Sequence, residues 1–258
     1  MDDFKIIVAG DERFRAIVDR SLCIHDRTLV APVAVLSEVP DGSFALIAER
    51  ASVAASALEG LRELRRRRAP QPVIQILRAG ETRADATDGW AADAVSAREC
   101  RSCLAFILRR VVIRWLLAAS FEATSARYRD TTVLLELFQV VFSADPPVGS
   151  ATELGALMGE ASRSGAYAAW DRVIRPMCGL TLGDFLGWVV LLRGFGVKAP
   201  GWGWRAVGRC VGKSPHGLDG LSRRLLGMRC KDTEALGLRP LLEFLMRVLT
   251  PLGLADER

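Results

Sequence analysis

The stretch KSPHGLDGLSRR, from Lys213 to Arg224, gathers side chains whose types and spacing suit recognition of an anionic polymer. Ser214 followed by Pro215 is a helix-start signal, a hydroxyl cap and then a ring already set to the helical φ. A helix beginning there places Leu218, Leu221 and Leu225 on one side and His216, Asp219, Gly220, Arg223 and Arg224 on the other. Ser214, His216, Asp219 and Gly220 would stand nearest the base edges of duplex DNA, with Lys213, Arg223 and Arg224 nearest phosphates or guanines. Covalent chemistry has less to work with. Cys100 and Cys103 form a CxxC, but no second cysteine pair follows at zinc-site spacing, and His25 and His216 are remote in sequence. They read as two cysteines one turn apart on a helix, with no metal. Two histidines supply no Ser/His/Asp set, and no GxGxxG or GxxxxGKS/T follows a strand. No catalytic residue and no cofactor are expected.

The elements that must position these side chains come as two similar units. The first reads ATELGALMG, a turn, then AAWDRVIRPMCG; the second reads WGWRAVGRCVG, KSPH, then GLDGLSRRLLG. A short helix, a Gly-bearing turn and a longer helix, twice over, predict tandem helix-turn-helix modules. Leu154, Leu157 and Met158 form the buried side of the first short helix, and Trp170, Val173 and Ile174 that of its longer partner. Between the modules runs LTLGDFLGWVVLLRGF, with Thr181 as its cap, Asp184 in the capping-box position, and Phe185, Trp188, Val189 and Leu192 at helical spacing. In the second module Trp204, Val207 and Val211 form a stripe and Gly212 fits the turn. TTVLLELFQVVF precedes the modules as a helix stopped by Pro146 and Pro147, and a final helix over about Arg239 to Leu249 closes the bundle.

Composition narrows the setting. The 258 residues carry 35 Lys+Arg against 30 Asp+Glu, a net +5 that permits an anionic partner without demanding one. Scattered cysteines and an opening with Asp2, Asp3 and Lys5 point to a reduced, cytoplasmic protein. CLAFILRRVVIRWLLAAS is strongly apolar, but Arg109, Arg110 and Arg114 interrupt it at mid-span. It reads as a buried or interfacial helix, with no membrane partner.

Toward the N-terminus, FKIIVAG, LVAPVAVL, FALIAE, PVIQIL and ADAV are strand candidates, with Pro32 arguing for an edge or a break in the second. Helical patterns alternate with them: DERFRAIVDRSL, with Phe14, Ile17 and Val18 inward, and ASVAASALEGLRELRRRR, whose Arg65 to Arg68 form a solvated helix end. This alternation predicts an open parallel α/β sheet. The order, together with PVIQIL, its Gly-bearing loop and GWAADAVSARECRSCLAFI, resembles a response-regulator receiver domain over about residues 4–115. The resemblance implies a phosphoacceptor Asp ending the third strand, an acidic magnesium pair after the first and a Lys after the fifth. Ala48 and Glu49, then Gly10, Asp11 and Glu12, then Ser96 stand at those places. The domain is expected to be degenerate, with no phosphoacceptor.

The helical half resembles the AraC-type regulators, whose DNA-binding domain is two helix-turn-helix units bridged by a helix. LGALMG, WDRVIRPMCGLTLGDFLGWVVLLRGF, WRAVGRCVGKSP and LSRRLLG carry the likeness over about residues 130–230, with the family's Gly after each longer helix at Gly179 and Gly227. EASRSGAYA departs by making the first turn longer, and Ser222 falls near a position usually aromatic. Charge separates the modules. From Ser150 to Asp184 three cations (Arg163, Arg172, Arg175) face four anions (Glu153, Glu160, Asp171, Asp184), whereas from Arg193 to Lys231 nine cations face Asp219 alone. Phosphate affinity follows local cations, so the second module is expected to supply most of it, with Arg163 and Arg172 as contacts from the first.

The chain therefore reads as a degenerate receiver-like α/β domain with a connecting helix over 1–120 and an AraC-type helical DNA-binding domain over 121–258, joined near Ala123 to Asp130. The expected function is that of a non-catalytic, sequence-specific, cytoplasmic transcription regulator entering the major groove of double-stranded DNA. A homodimer and a protein partner at the α/β domain fit that expectation. The rival is an adaptor using both folds for protein contacts alone.

Overall fold

In a computed structural model of the chain, residues 6–22, 24–27, 29–33, 45–49, 73–77, 93–199 and 201–238 are described. Short apolar runs form five strands: β1 (Ile6–Ala9), β2 (Val30–Val33), β3 (Ala45–Glu49), β4 (Val73–Leu77) and β5 (Asp93–Ser96). They pair in the order β2-β1-β3-β4-β5, every pair parallel. Ile6 to Ala9 and Ala45 to Ala48 are buried without alternation, as strands covered on both faces should be. Pro32 lies in β2 at the sheet's edge, where its missing N–H breaks no ladder.

Helix α1 (Glu12–Ser21) follows β1, capped by Asp11, whose Oδ1 accepts the Phe14 N–H at 2.7 Å. Phe14 and Val18 pack inward, but Ile17 is exposed rather than part of that stripe. A short α2 (Ile24–Arg27) leads into β2. The expected helix at 51–68 with Arg65 to Arg68, the loop through Ala92 and the helix expected over 239–249 lie outside the described residues.

The chain divides into two units, Met1–Trp115 with Leu236–Arg239, and Leu116–Ala235 with Pro240–Arg258. The division falls inside one continuous helix, α3 (Cys100–Arg127), so the linker expected near Ala123 to Asp130 is mostly helix. Small polar residues looked like a break there, but two of them turn their hydroxyls onto the helix itself. Ser120 donates to the Leu116 carbonyl at 2.6 Å and Thr124 to the Ser120 carbonyl at 2.7 Å. No single helix among the described residues is long and apolar enough to cross a membrane.

The second unit is helical. After α4 (Thr132–Ser143) and α5 (Ala151–Met158), α6 (Glu160–Ala169) passes through a π-helical turn, Trp170–Ile174, into α7 (Arg175–Cys178). Then come α8 (Leu182–Val197), α9 (Trp204–Cys210), α10 (Pro215–Leu226) and α11 (Cys230–Leu236). Helix α8 is apolar on all sides and buried on all sides, the signature of a central helix. The cap read from sequence forms: the Thr181 hydroxyl accepts the Asp184 N–H at 3.1 Å, and it donates to Asp184 Oδ2 at 2.8 Å, so Asp184 reaches back to the hydroxyl rather than to the Thr181 N–H of a full capping box.

Aromatic residues gather around the start of α8. Trp170 packs on Phe185 at 4.7 Å between ring centres and donates its indole N–H to the Leu180 carbonyl at 2.8 Å. Phe138 and Phe142 of α4 meet Phe185 edge-on at 6.4 and 6.1 Å. Further along α8, Val190 and Leu191 join Val207, Val211, Leu218 and Cys230 in one cluster. One helix thus carries two packed groups, one towards each of the paired helices.

Candidate nucleic-acid interface

The second helix pair, α9 and α10, is set at a close backbone crossing. A Cβ on Gly208 would stand 2.4 Å from the Lys213 carbonyl oxygen, and the Lys213 N–H donates to the Gly208 carbonyl at 2.8 Å. Only glycine lets the turn cross α9 there. Gly212 makes the turn at φ 67°, and Ser214 caps α10 by accepting the Gly217 N–H at 3.0 Å, with Pro215 at the first position. Gly227 ends α10 in the left-handed region, as Gly179 ends α7; their N–H groups donate to Arg223 and Arg175 carbonyls at 3.0 and 2.8 Å.

Leu218 and Ser222 of α10 are buried, and Leu221 and Leu225 pack against the α8–α9 cluster. His216, Gly220 and Arg223, spaced four and three apart, share the opposite, exposed face. A Cβ on Gly220 would meet nothing within 4 Å, so that face is open. Three of the residues expected at a groove therefore share one accessible surface.

Other expected contacts are held elsewhere. Asp219 is half-buried: its Oδ1 accepts the Cys230 N–H at 3.0 Å, and its Oδ2 lies 3.6 Å from Arg223 Nη2. It joins α10 to α11. Lys213 places Nζ 2.7 Å from Glu153 Oε1 of α5, with its side chain only 19% exposed. Glu153 also accepts the Gly149 N–H at 2.6 Å. Burial pushes the Glu153 carboxyl up, but the hydrogen bonds from Lys213 and Gly149 outweigh it and hold the group below its ordinary range. Arg224, one residue round the helix from Arg223, turns to α8 and lies 3.4 Å from Asp184 Oδ1. The three cations and the one carboxylate expected to meet DNA together, Lys213, Arg223, Arg224 and Asp219, are engaged partly within the protein.

The nine cations of this region now separate. Arg193 donates to the Phe142 carbonyl at 2.5 Å, Lys198 pairs with Glu234 at 3.0 Å and Lys213 with Glu153, so these three face inward. Arg205 and Arg209 on α9, and Arg229 and Lys231 at the start of α11, are exposed and in no ion pair among the described residues. None of these four was singled out from sequence. The i, i+4 spacing of Arg205 and Arg209, out of phase with Val207, was the available signal for the first two.

The first helix pair differs in form. Helix α5 ends at Met158, Gly159 turns at φ 81°, and α6 begins at Glu160. The long turn expected over EASRSGAYA does not exist: the segment has no proline, is rich in alanine, and buries Ala166, in step with Ala169 and Trp170 just beyond it. Arg163 pairs with Glu160 at 2.6 Å, and Arg175 with Asp171 at 3.3 Å. Arg172 is exposed and in no ion pair among the described residues. Leu157, expected inward with Leu154 and Met158, is 58% exposed, and Met177 is 46% exposed.

The remaining chemistry-bearing residues have local roles. Cys100 and Cys103 open α3; the Cys100 thiol is buried and pushed up to about 12, chiefly by burial with Cys103 and Glu99 adding. The Cys103 thiol donates to the Glu99 carbonyl at 3.0 Å. At the receiver-like positions, Asp11 is the α1 cap, Ala48 is buried, and the Ser96 hydroxyl donates to Glu99 Oε2 at 2.7 Å. Glu49 belongs to β3, its side chain outside the description, as is that of His25.

Fold and geometry together define a class: a five-stranded parallel α/β unit continuous with a helical unit that carries two helix pairs on one central helix. No family model, curated protein or solved structure matches the chain.

Proposed function

We propose that the chain is a non-catalytic, sequence-specific transcription regulator whose second helix pair is a helix-turn-helix entering the major groove of double-stranded DNA. The observation that carries this reading is the open face of α10, where His216, Gly220 and Arg223 stand together, with Arg205 and Arg209 of the preceding α9 exposed and in no ion pair among the described residues. A side chain such as Arg223 can donate two hydrogen bonds to guanine, His216 one to a base edge, and Gly220 admits close approach. Arg205 and Arg209 supply the phosphate contacts that Lys213 and Arg224 only partly provide. The first helix pair, near neutral and with Arg163 paired to Glu160, is a packing platform to which Arg172, in no ion pair among the described residues, adds a basic contact.

In this proposal the α/β unit is a degenerate receiver. Its strand order is the one receivers share with other flavodoxin-like sheets, which supports the kinship at the level of topology. It serves dimerisation or a protein partner, and the protein works in the cytoplasm. Binding of labelled genomic fragments through a graded salt series tests the proposal. A recovered sequence motif with steep weakening in salt supports it; binding absent or indifferent to salt sinks it. The adaptor reading draws on a different observation, exposed Leu157 and Met177 on the first pair, and predicts a protein complex that salt does not dissolve.

A further inference from the structure

Helices α10 and α11 meet at a polar joint that closes around Cys230. Asp219 accepts the Cys230 N–H at 3.0 Å. Ser222, fully buried, donates to the Met228 carbonyl at 2.7 Å and lies 3.4 Å from the Thr233 hydroxyl. Thr233, also fully buried, donates to the Arg229 carbonyl at 3.1 Å. Buried hydroxyls are costly unless bonded, and here each bond falls on the few residues where α10 passes into α11. The joint fixes where α11 starts.

That placement acts on two cations. Arg229 and Lys231 flank Cys230 in the chain, so their Cα atoms lie about 3.8 Å from that of Cys230. Both are exposed and in no ion pair among the described residues; Asp232, also exposed, is the next anion along α11. Asp219 itself stands one turn after His216 and one turn before Arg223 on α10. Holding Cys230 to Asp219 therefore holds Arg229 and Lys231 beside the open face of α10.

We infer that Arg229 and Lys231 contact the phosphate backbone of duplex DNA alongside α10, and that Asp219 is the positioning residue that keeps them there. The inference rests on the DNA-binding reading above. It reverses the role of Asp219, the one anion among the cations from Arg193 to Lys231. Were Asp219 only a repulsive charge, Asp219→Asn would tighten binding and Asp219→Glu, which keeps the charge, would change nothing. As a positioning residue it behaves otherwise. Asparagine keeps an acceptor oxygen in place for the Cys230 N–H, whereas glutamate displaces the acceptor by one methylene.

The experiment is a salt series on the full chain with a labelled random-sequence duplex, with thermal melts of each variant alongside. Arg229→Gln with Lys231→Gln is expected to melt like wild type and to lower the slope of log affinity against log salt by about two. Asp219→Glu is expected to lower that slope as well, and Asp219→Asn to leave it in place. An unchanged slope in the Arg229→Gln, Lys231→Gln variant, with wild type still salt-dependent, overturns this inference and leaves the regulator reading standing. An unchanged slope in Asp219→Glu overturns the positioning role alone. Wild type that binds no DNA overturns both.

Discussion

The two helix pairs of the helical unit have similar sequence patterns and different geometry. In the second, the turn spans Val211 to Ser214 and crosses α9 against the Gly208 backbone. In the first, the turn is the single residue Gly159, and the longer helix passes through a π-helical turn. On and just after the second, Arg205, Arg209, Arg229 and Lys231 are in no ion pair among the described residues, whereas the first pairs Arg163 and Arg175 with its own acids. Similar patterning of apolar residues builds a helix pair; availability of its cations is what marks one of them as the proposed interface.

The strongest way to break the comparison is at its matched glycines. Gly208→Ala forces a methyl group against a backbone carbonyl and is expected to cost about 3 kcal/mol or more, read as a large drop in melting temperature. Gly155→Ala, in the corresponding short helix, meets the flexible ends of Glu160 and Arg163. Alanine's helix propensity offsets that contact, so its effect should stay within about 1 kcal/mol. Equal melting shifts for the two would show that the crossing at Gly208 is not the constraint proposed.

Charge gives the next test. Removing Arg205 and Arg209 together should flatten the salt dependence of DNA binding by about two, against about one or less for Arg172→Ala in the first pair. A larger loss from Arg172 would reverse the assignment of the two modules. Gly220→Ala sharpens the picture further, because stability and affinity should move in opposite directions. The added methyl meets nothing within 4 Å, so the helix should gain roughly 1 kcal/mol in a melt while the open face loses DNA affinity. Affinity that rises with stability would remove α10 from the groove.

The smallest effect concerns the tie between the pairs. Glu153 is held below its ordinary value of 4.5, so its ion pair with Lys213 stabilises above that pH and is lost as pH falls through the lowered folded value. Lys213→Met should cost under about 1 kcal/mol near neutrality, as expected for a partly exposed pair. Melts of wild type and variant should converge well below pH 4.5; a gap that persists in acid would assign the loss to packing of the lysine stem.

Much of the frame was legible because its signals are short-range. Thr181 and Ser214 as caps, Gly179 and Gly227 as helix ends, and Pro32 on an edge strand each follow from backbone geometry that a few neighbouring residues dictate. Where local rules misled, a nonlocal contact or a competing local bond decided. The polar stretch SFEATSARYRD looked like a domain boundary, but Ser120 and Thr124 bond to their own helix. EASRSGAYA looked like a turn, but the burial of Ala166 within it and of Ala169 and Trp170 just after it favours helix.

The candidate site divides along the same line. Sequence alone determined that α10 exists, where it starts and ends, and that His216, Gly220 and Arg223 share its polar face, because helical period and capping are properties of the local chain. Only the tertiary structure decided which charges remain for a partner. Lys213 is claimed by Glu153 sixty residues away, Arg224 by Asp184 of α8, and Asp219 by the N–H of Cys230. Charge can be counted along a chain, but the ion pairs and hydrogen bonds that consume it form between residues brought within a few ångströms by folding.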